Sequence, residues 1–179
     1  MPTANQSSPS SAQHNQPQAA KVPVVVSIRE LGIGDDATAF RTLNEEWISR
    51  YFVIEEKDRE LLDDPESAIL RRGGRIFIAR CDGHDAGCVA LVPMDPGRYE
   101  LSKMAVAPGF QGRGIGRALL RYAIAEACAD GARSLFLGSN SALKPAIALY
   151  ESAGFRHVPP SQLPDMHYSR ANVFMELPL

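Results

Sequence analysis

Residues 108–120 read PGFQGRGIGRALL, with Gly112, Gly114 and Gly116 on alternate positions, Gln111 ahead of them and a leucine-rich stretch behind. Each glycine costs roughly 0.5–1 kcal/mol relative to alanine where regular structure is required, so three of them at the mouth of a helix ask for a compensating reason. Successive N–H groups at the positive end of a helix macrodipole form a cradle for an anion, and glycine lets the anion approach without a Cβ in the way. The helix that follows is legible. Ile115, Leu119, Tyr122 and Ala123 fall at i, i+4, i+7 and i+8, giving one apolar stripe, and Gly131 closes it.

Working outward, YELSKMAV (99–106) reads as the strand before the glycines and SLFLGS (134–139) as a buried strand after the helix. A strand–helix–strand crossover requires its two strands to be parallel. Upstream, RIFIAR, CDGHDAG and CVALVP read as a hairpin whose Asp82-Gly83 turn favours positive φ, and MDPGR turns the chain again into YELSKMAV. Together these predict an antiparallel meander of three strands. VPVVVSI (22–28) is a β-branched first strand. Asp36 can cap a helix carrying Phe40, Leu43, Trp47 and Ile48 and ending near Phe52. A second helical stretch begins near Lys57, Asp64-Pro65 supplies an N-cap and first-turn proline, and Gly73-Gly74 stops it. A helix over about 143–153 and a last strand in RANVFMEL complete the chain. The expected fold is α/β (α+β): a mixed, largely antiparallel central sheet with helices on both faces.

Spacing separates the phosphate-binding readings of the glycine stretch. A P-loop needs a lysine and a hydroxyl after its last glycine, whereas Gly114 is followed by Ile115-Gly116. A dinucleotide fingerprint needs G-x-x-G spacing, and here Arg117 occupies the last slot. The pattern that fits is Q-x-x-G-x-G between a strand and a helix. With YELSKMAV before it and AIALYESAGF (146–155) after it, the sequence resembles the GNAT superfamily of acyl-CoA-dependent N-acyltransferases over roughly residues 98–158. EWISRYF, GGRIFIAR and RANVFMEL are similar to a bacterial branch of that family.

The resemblance implies a GNAT-like fold, acetyl-CoA as co-substrate, an amine as acceptor and no metal. It implies that pantetheine lies along Met104, Ala105 and Val106, between strands that splay apart, and that the pyrophosphate is held at Gln111, Gly112, Arg113, Gly114, Ile115, Gly116 and Arg117. Glu100 matches the family's general-base position, and the bare alternation of a strand puts it on the same face as Ser102, Met104 and Val106; a solvent-facing glutamate at a strand end is the alternative. Tyr150 matches the general-acid position, and it is also the C3 residue of a Schellman motif formed with Gly154 and Phe155. The family's asparagine slot, seven positions before the tyrosine, holds Leu143 here, and the nearest candidate is Asn140. A backbone N–H on the Val106 strand would then polarise the carbonyl.

The chemistry constrains the base. An alkylammonium of pKa about 10.4 is only about 0.04% neutral at pH 7, and an ordinary glutamate near 4.3 sits about six units below it. Glu100 therefore needs burial, a water relay, or a role after attack.

The whole chain sets outer bounds. Residues 1–21 are rich in Ser, Gln, Asn and Pro and read as a disordered tail, leaving 22–179 as one domain. A net charge of −2 without a dense basic block argues against nucleic acid, and no apolar run reaches membrane-span length. Cys81, Cys88 and Cys128 show no zinc-ligand spacing and read as small core-packing residues in a reducing, cytoplasmic setting. His157 and His167 have no metal partner. From Glu45 to Glu66 acidic residues outnumber basic ones, so either a cationic amine is steered there or a helix face is simply solvated. Tyr168 and Arg170 border the acceptor pocket or only pack. The expectation is an N-acetyltransferase working by direct attack in a ternary complex, with a non-catalytic acyl-CoA sensor as the alternative and homodimerisation left open.

Overall fold

The structure, a computed structural model, describes residues 25–162 and 169–179. The expected tail over 1–21, the start of VPVVVSI, and His167 and Tyr168 lie outside them. In chain order the elements are β1 (Val26–Glu30), α1 (Thr38–Tyr51), α2 (Glu56–Leu62), α3 (Pro65–Ala68), β2 (Arg75–Cys81), β3 (His84–Pro93), β4 (Arg98–Val106), α4 (Ile115–Ala129), β5 (Ser134–Ser139), α5 (Lys144–Ser152), β6 (Arg156–His157) and β7 (Val173–Pro178).

The seven strands make one sheet in the order β1-β2-β3-β4-β5-β7-β6. Only β4 and β5 pair in parallel; every other neighbour is antiparallel. The expected meander is β2, β3 and β4, and its first turn has Asp82 at φ 52° and Gly83 at φ 80°, the positive pair that suits a twisted hairpin. Strand β6 is two residues long, too short to leave a periodicity in the sequence.

Alternation in β2 sorts side chains into two cores. Phe77 and Ala79 join Leu119, Leu120 and Leu135 on the α4 and α5 side. Ile76 and Ile78 join Phe40, Ile48 and Leu62 on the α1 and α2 side. RIFIAR therefore reads as a continuous apolar run because both of its faces are covered. Helix α1 starts one residue later than a cap at Asp36 would place it: Ala37 is the N-cap, and the Asp36 carboxylate accepts from the Thr38 N–H at 2.9 Å. Asp64 caps α3 as expected, accepting from the Ser67 N–H at 3.0 Å. Cys81 and Cys88 are buried, but Cys128 is exposed. It falls on the solvent side of α4, so it is not a core-packing residue.

Strand β4 departs from simple alternation. Its pairing to β3 runs Leu91↔Leu101 and Ala90↔Ser102, then slips to Cys88↔Ala105. Two residues, Lys103 and Met104, face one, and Lys103 takes φ 51°. This is a β-bulge, and it inverts the faces beyond it. Leu101 packs in the α4-side core together with Met104 and Val106, while Ala105 packs on the α1 side. Glu100 and Ser102, before the bulge, are thus not on the face of Met104 and Val106, as bare alternation predicts.

The bulge brings backbone into tight register with β3. A Cβ on Gly87 would lie 2.8 Å from the Ala105 carbonyl oxygen and 3.0 Å from Leu119 Cδ1, with no flexible group able to yield on the backbone side. Overpacking of this kind costs roughly 1–3 kcal/mol. Gly87→Ala is expected to lower the unfolding free energy by that amount in urea denaturation; a midpoint equal to wild type would show that the sheet relaxes freely there.

Candidate active site

Strands β4 and β5 pair only through Arg98↔Ser134, Tyr99↔Leu135 and Glu100↔Phe136. Beyond that point β4 follows β3 and β5 follows β7, so the sheet opens in its middle. A cleft of about 650 Å³ occupies the opening.

At one end of the cleft lie Gln111, Gly112, Gly114, Ile115 and Gly116. Gly112 and Gly114 have φ of 73° and 83°, a left-handed backbone that other residues adopt at a cost. Gly114 is the N-cap of α4, and no side chain caps the helix. The first-turn N–H groups, which have no intrahelical acceptor, therefore face the cleft mouth uncovered. Gly116 is different: its φ is ordinary, and an added Cβ would make only ordinary contacts of 3.5–3.7 Å with Met104, Leu149 and Val106. Neither backbone geometry nor crowding demands a glycine there. Gln111 donates from Nε2 to the Val106 carbonyl at 3.2 Å, tying the loop to the end of β4.

Met104, Ala105 and Val106 line the middle, opposite Gly138, Ser139 and Asn140. Asn140 is already engaged, donating to the Arg170 carbonyl at 2.6 Å and accepting from the Ala142 N–H at 2.8 Å. Arg113 and Arg117 do not line the cleft. Arg113 turns away to Asp82 at 2.6 Å and stacks over Phe110 at 5.3 Å.

Tyr150 lines the cleft from α5. The Schellman geometry around it is present: the Phe155 N–H donates to the Tyr150 carbonyl at 3.1 Å, the Gly154 N–H to Glu151 at 3.0 Å, and Gly154 has φ 99°. Its hydroxyl stands 4.0 Å from Met104 Sδ, and burial pushes its pKa up to about 12. Glu100 lies in the same cleft. Burial pushes its carboxyl above the ordinary range, against the pull of Lys103, Ser102 and Lys57.

The far end holds a charge network that sequence reasoning did not find. Lys103 Nζ donates to Asp58 Oδ1 at 2.9 Å, with both side chains almost wholly buried. Arg170 binds the same carboxylate with two nitrogens at 2.7 Å and reaches Glu55 at 3.2 Å. Glu55 also accepts from the Ser169 N–H at 3.0 Å, so the chain at 169–170 is fastened to the start of α2. Burial pushes the Asp58 carboxyl up, but Arg170, Lys103 and the Glu55 N–H outweigh it and hold it down at about 2. Burial pulls the Lys103 ammonium down, and Asp58 restores only part of the loss. The aspartate gains more than the lysine because it has two cationic partners. The signal in the sequence was a lysine inside the apolar run LSKMAV. The acidic excess over 45–66 is largely used internally: Glu45 and Asp63 pair with Arg41, Glu60 with Lys57 and Glu66 with Arg71.

A central sheet parted over a cleft, with an uncapped helix start at one end, is an acetyltransferase architecture. A GNAT-family acetyltransferase from Staphylococcus aureus has the same fold, with TM-score 0.76 at 22% identity over 85% of this chain and 98% of that one. So does a GNAT-family acetyltransferase from Elizabethkingia anophelis with acetyl-CoA bound, with TM-score 0.64 at 21% identity over 86% of this chain and 98% of that one. Residues 40–155 match the Acetyltransferase (GNAT) family, and the chain belongs to it. An uncharacterized N-acetyltransferase of Mycobacterium tuberculosis is 36% identical over 97 residues, which span 54% of this chain and 58% of that relative. Among the described residues no helix is long and apolar enough to cross a membrane, and no cluster of His, Cys, Asp and Glu has the arrangement of a metal site.

Removing one member of the buried network strands the others. Asp58→Asn leaves Lys103 and Arg170 without their shared carboxylate, and breaking a buried pair costs about 3–5 kcal/mol. The folded pKa of about 2 lies below the ordinary 3.8, so the stabilisation is full above the ordinary value and is lost as pH falls toward the folded one. Chemical denaturation from neutral to acid pH should show the variant less stable at neutral pH, with the gap closing as pH falls through this window.

Proposed function

We propose that the protein is an acetyl-CoA-dependent N-acetyltransferase that moves the acetyl group onto a primary amine by direct attack within a ternary complex. The observation that carries this reading is one continuous cleft. It runs from the uncapped start of α4, through the opening between β4 and β5, to Glu100 and Tyr150. The acetyl-CoA bound in the fold neighbour from E. anophelis and the N-acetyltransferase name of the mycobacterial relative support it.

In this reading the pyrophosphate meets the N–H groups over Gly112–Gly116, where an oxyanion gains from both unsatisfied donors and the helix dipole. Gly116 is the residue whose missing side chain serves the ligand rather than the fold. Pantetheine lies along Met104–Val106, whose outer edge has no β5 partner, and hydrogen-bonds it as an added strand. Arg113 and Arg117 contribute field at most, since both stand off the cleft. Asn140 shapes the 140–143 turn and the Arg170 segment more than it binds.

The ammonium first loses one proton to solvent; the neutral amine nitrogen then attacks the thioester carbonyl, the C–S bond breaks, the sulfur leaves as thiolate, and a second proton must leave nitrogen. Glu100 takes that proton. A pKa raised by burial narrows its gap to the amine, and transfer after attack narrows it further because the nitrogen is then more acidic. Tyr150 does not surrender its proton outright. A tyrosinate of pKa about 12 is some 3.5 units more basic than a thiolate near 8.5, so complete transfer would be uphill by about 5 kcal/mol. The hydroxyl instead stabilises the leaving sulfur by a hydrogen bond, still protonated throughout the neutral range. A reducing cytoplasm suits the free cysteines.

Incubating the protein with acetyl-CoA and a panel of amines, and following thiol release, tests the reading. Glu100→Gln is expected to lower kcat/KM about 10²- to 10⁴-fold, the usual worth of a positioned base. The loss should be greatest at the pH where Glu100 is ionised, and the variant should lack the acid limb of the wild-type profile. Coenzyme uptake without thiol release from any amine would turn the reading into a binding module.

Gly116→Ala separates ligand binding from folding. Its thermal midpoint should equal or exceed wild type, because alanine suits a helix better than glycine and the new methyl meets only ordinary contacts, while calorimetry should show weakened coenzyme binding. An unchanged Kd would remove the pyrophosphate from this loop.

A further inference from the structure

We infer that the acceptor is a monoamine bearing an aromatic ring, with its ring held by Trp47, Tyr51 and Phe52 and its single nitrogen at Glu100; this rests on reading the cleft as the site of acetyl transfer. Two independent features of the acceptor end point to it.

The first is an aromatic wall. Trp47, Tyr51 and Phe52, from the end of α1 and the residue after it, all line the cleft. Their ring centroids are 5.3 Å apart for Trp47–Tyr51, 6.1 Å for Trp47–Phe52 and 6.4 Å for Tyr51–Phe52, with planes tilted by 44–51°. Arg170, which also lines the cleft, lies over Phe52 at 5.8 Å, so one ring is braced by the charge network. Tyr51 is 47% exposed, whereas the α1 stripe that packs the core, Phe40, Leu43 and Ile48, is buried. A tilted group of rings facing open space accepts another ring in edge-to-face or offset contact, the geometry aromatic quadrupoles prefer.

The second is the placement of negative charge. Among the described residues lining the cleft, Glu100 is the one carboxylate. Asp58 and Glu55 stand behind Lys103 and Arg170 and are occupied by them and by Ser169. A diamine or polyamine would bring a second ammonium to an end of the cleft that, among the described residues, offers it no available carboxylate and already carries the cations Lys103 and Arg170. Discrimination against it follows from desolvating a charge without a partner. One nitrogen and an uncharged flat body match what the walls present.

The test uses the full chain with acetyl-CoA and three acceptors, 2-phenylethylamine, n-hexylamine and 1,4-diaminobutane, read by thiol release. A second readout needs no turnover. Trp47 is the single tryptophan of the chain, so its emission reports directly on what enters the acceptor end in the presence of CoA. The expected result is a higher kcat/KM for 2-phenylethylamine than for either other amine, with Trp47 emission shifting on its addition. Tyr51→Ala should cut the preference over n-hexylamine by about 2- to 12-fold, the worth of one aromatic pair, and Tyr51→Phe should retain it. Equal turnover of the three amines, or Trp47 emission indifferent to saturating 2-phenylethylamine, overturns the inference while leaving acetyl transfer intact. A Trp47 response to 2-phenylethylamine without thiol release from any amine upholds ring recognition and overturns transfer.

Discussion

Lys103 sits in the left-handed region of φ in the middle of a central strand, a conformation that costs a non-glycine residue about 1–3 kcal/mol and persists only when its surroundings over-determine it. One such determinant is Asp58, which holds the lysine's ammonium in a site closed to solvent and is itself held by Arg170. Much else depends on that anchor. The bulge sends Met104 and Val106 to the α4 side and Ala105 to the α1 side. The same ion pair binds α2 to the sheet, and the Arg170 arm draws the segment before β7 onto the start of α2.

The bulge also explains how a sheet can open at its centre without collapsing. Backbone N–H and C=O groups along an unpaired edge must find partners in water or ligand, and an open edge in mid-sheet invites closure. Strand β4 is kept in place by β3 on its far side up to Val106, and β5 by β7 up to Ser139. Each diverging strand is therefore paired on one side, β4 with the ladder interrupted only at the Lys103–Met104 bulge, and the gap between them is stable as a groove. An extended, amide-bearing ligand arm is the natural complement to such a groove, which is why the coenzyme reading follows from topology as well as from the glycine loop.

How much of this was legible in the sequence follows from the range of the interactions. The α4 helix, its glycine entry, the Asp82-Gly83 hairpin turn, the Asp64 cap and the Tyr150–Phe155 helix end are set by residues within a few positions of one another, and their patterns are visible in a linear reading. The bulge is not, because it depends on an aspartate 45 residues upstream of the lysine. Counting by twos along YELSKMAV therefore assigns Glu100 the wrong companions. Gly112 and Gly114 looked like ligand-facing glycines and are required first by the backbone, whereas the third of the alternating glycines, Gly116, has no such demand on it. Arg113 looked like a phosphate ligand from its position in the loop, but Asp82 on the β2–β3 turn claims it, a partner 31 residues away that spacing does not reveal. The aromatic wall was half visible: EWISRYF carries more rings than one apolar stripe needs, but only the fold shows that they face the opening.

The low polarity that shields the cleft acts on its two titratable groups in the same direction and with opposite consequences. Burial raises both the Glu100 carboxyl and the Tyr150 hydroxyl. For the carboxylate this is a gain in basicity, bringing it toward the amine of the proposed reaction. For the phenol it is a loss of acidity, moving it away from the thiolate that the proposed reaction releases. A site with one dielectric cannot favour a strong base and a strong acid together unless local charge separates them, and the Lys103 charge pulls the Glu100 pKa back down. The proposed reaction accordingly uses Glu100 as proton acceptor and Tyr150 as hydrogen-bond donor. Thiolate, the better leaving group of the two, needs only the latter.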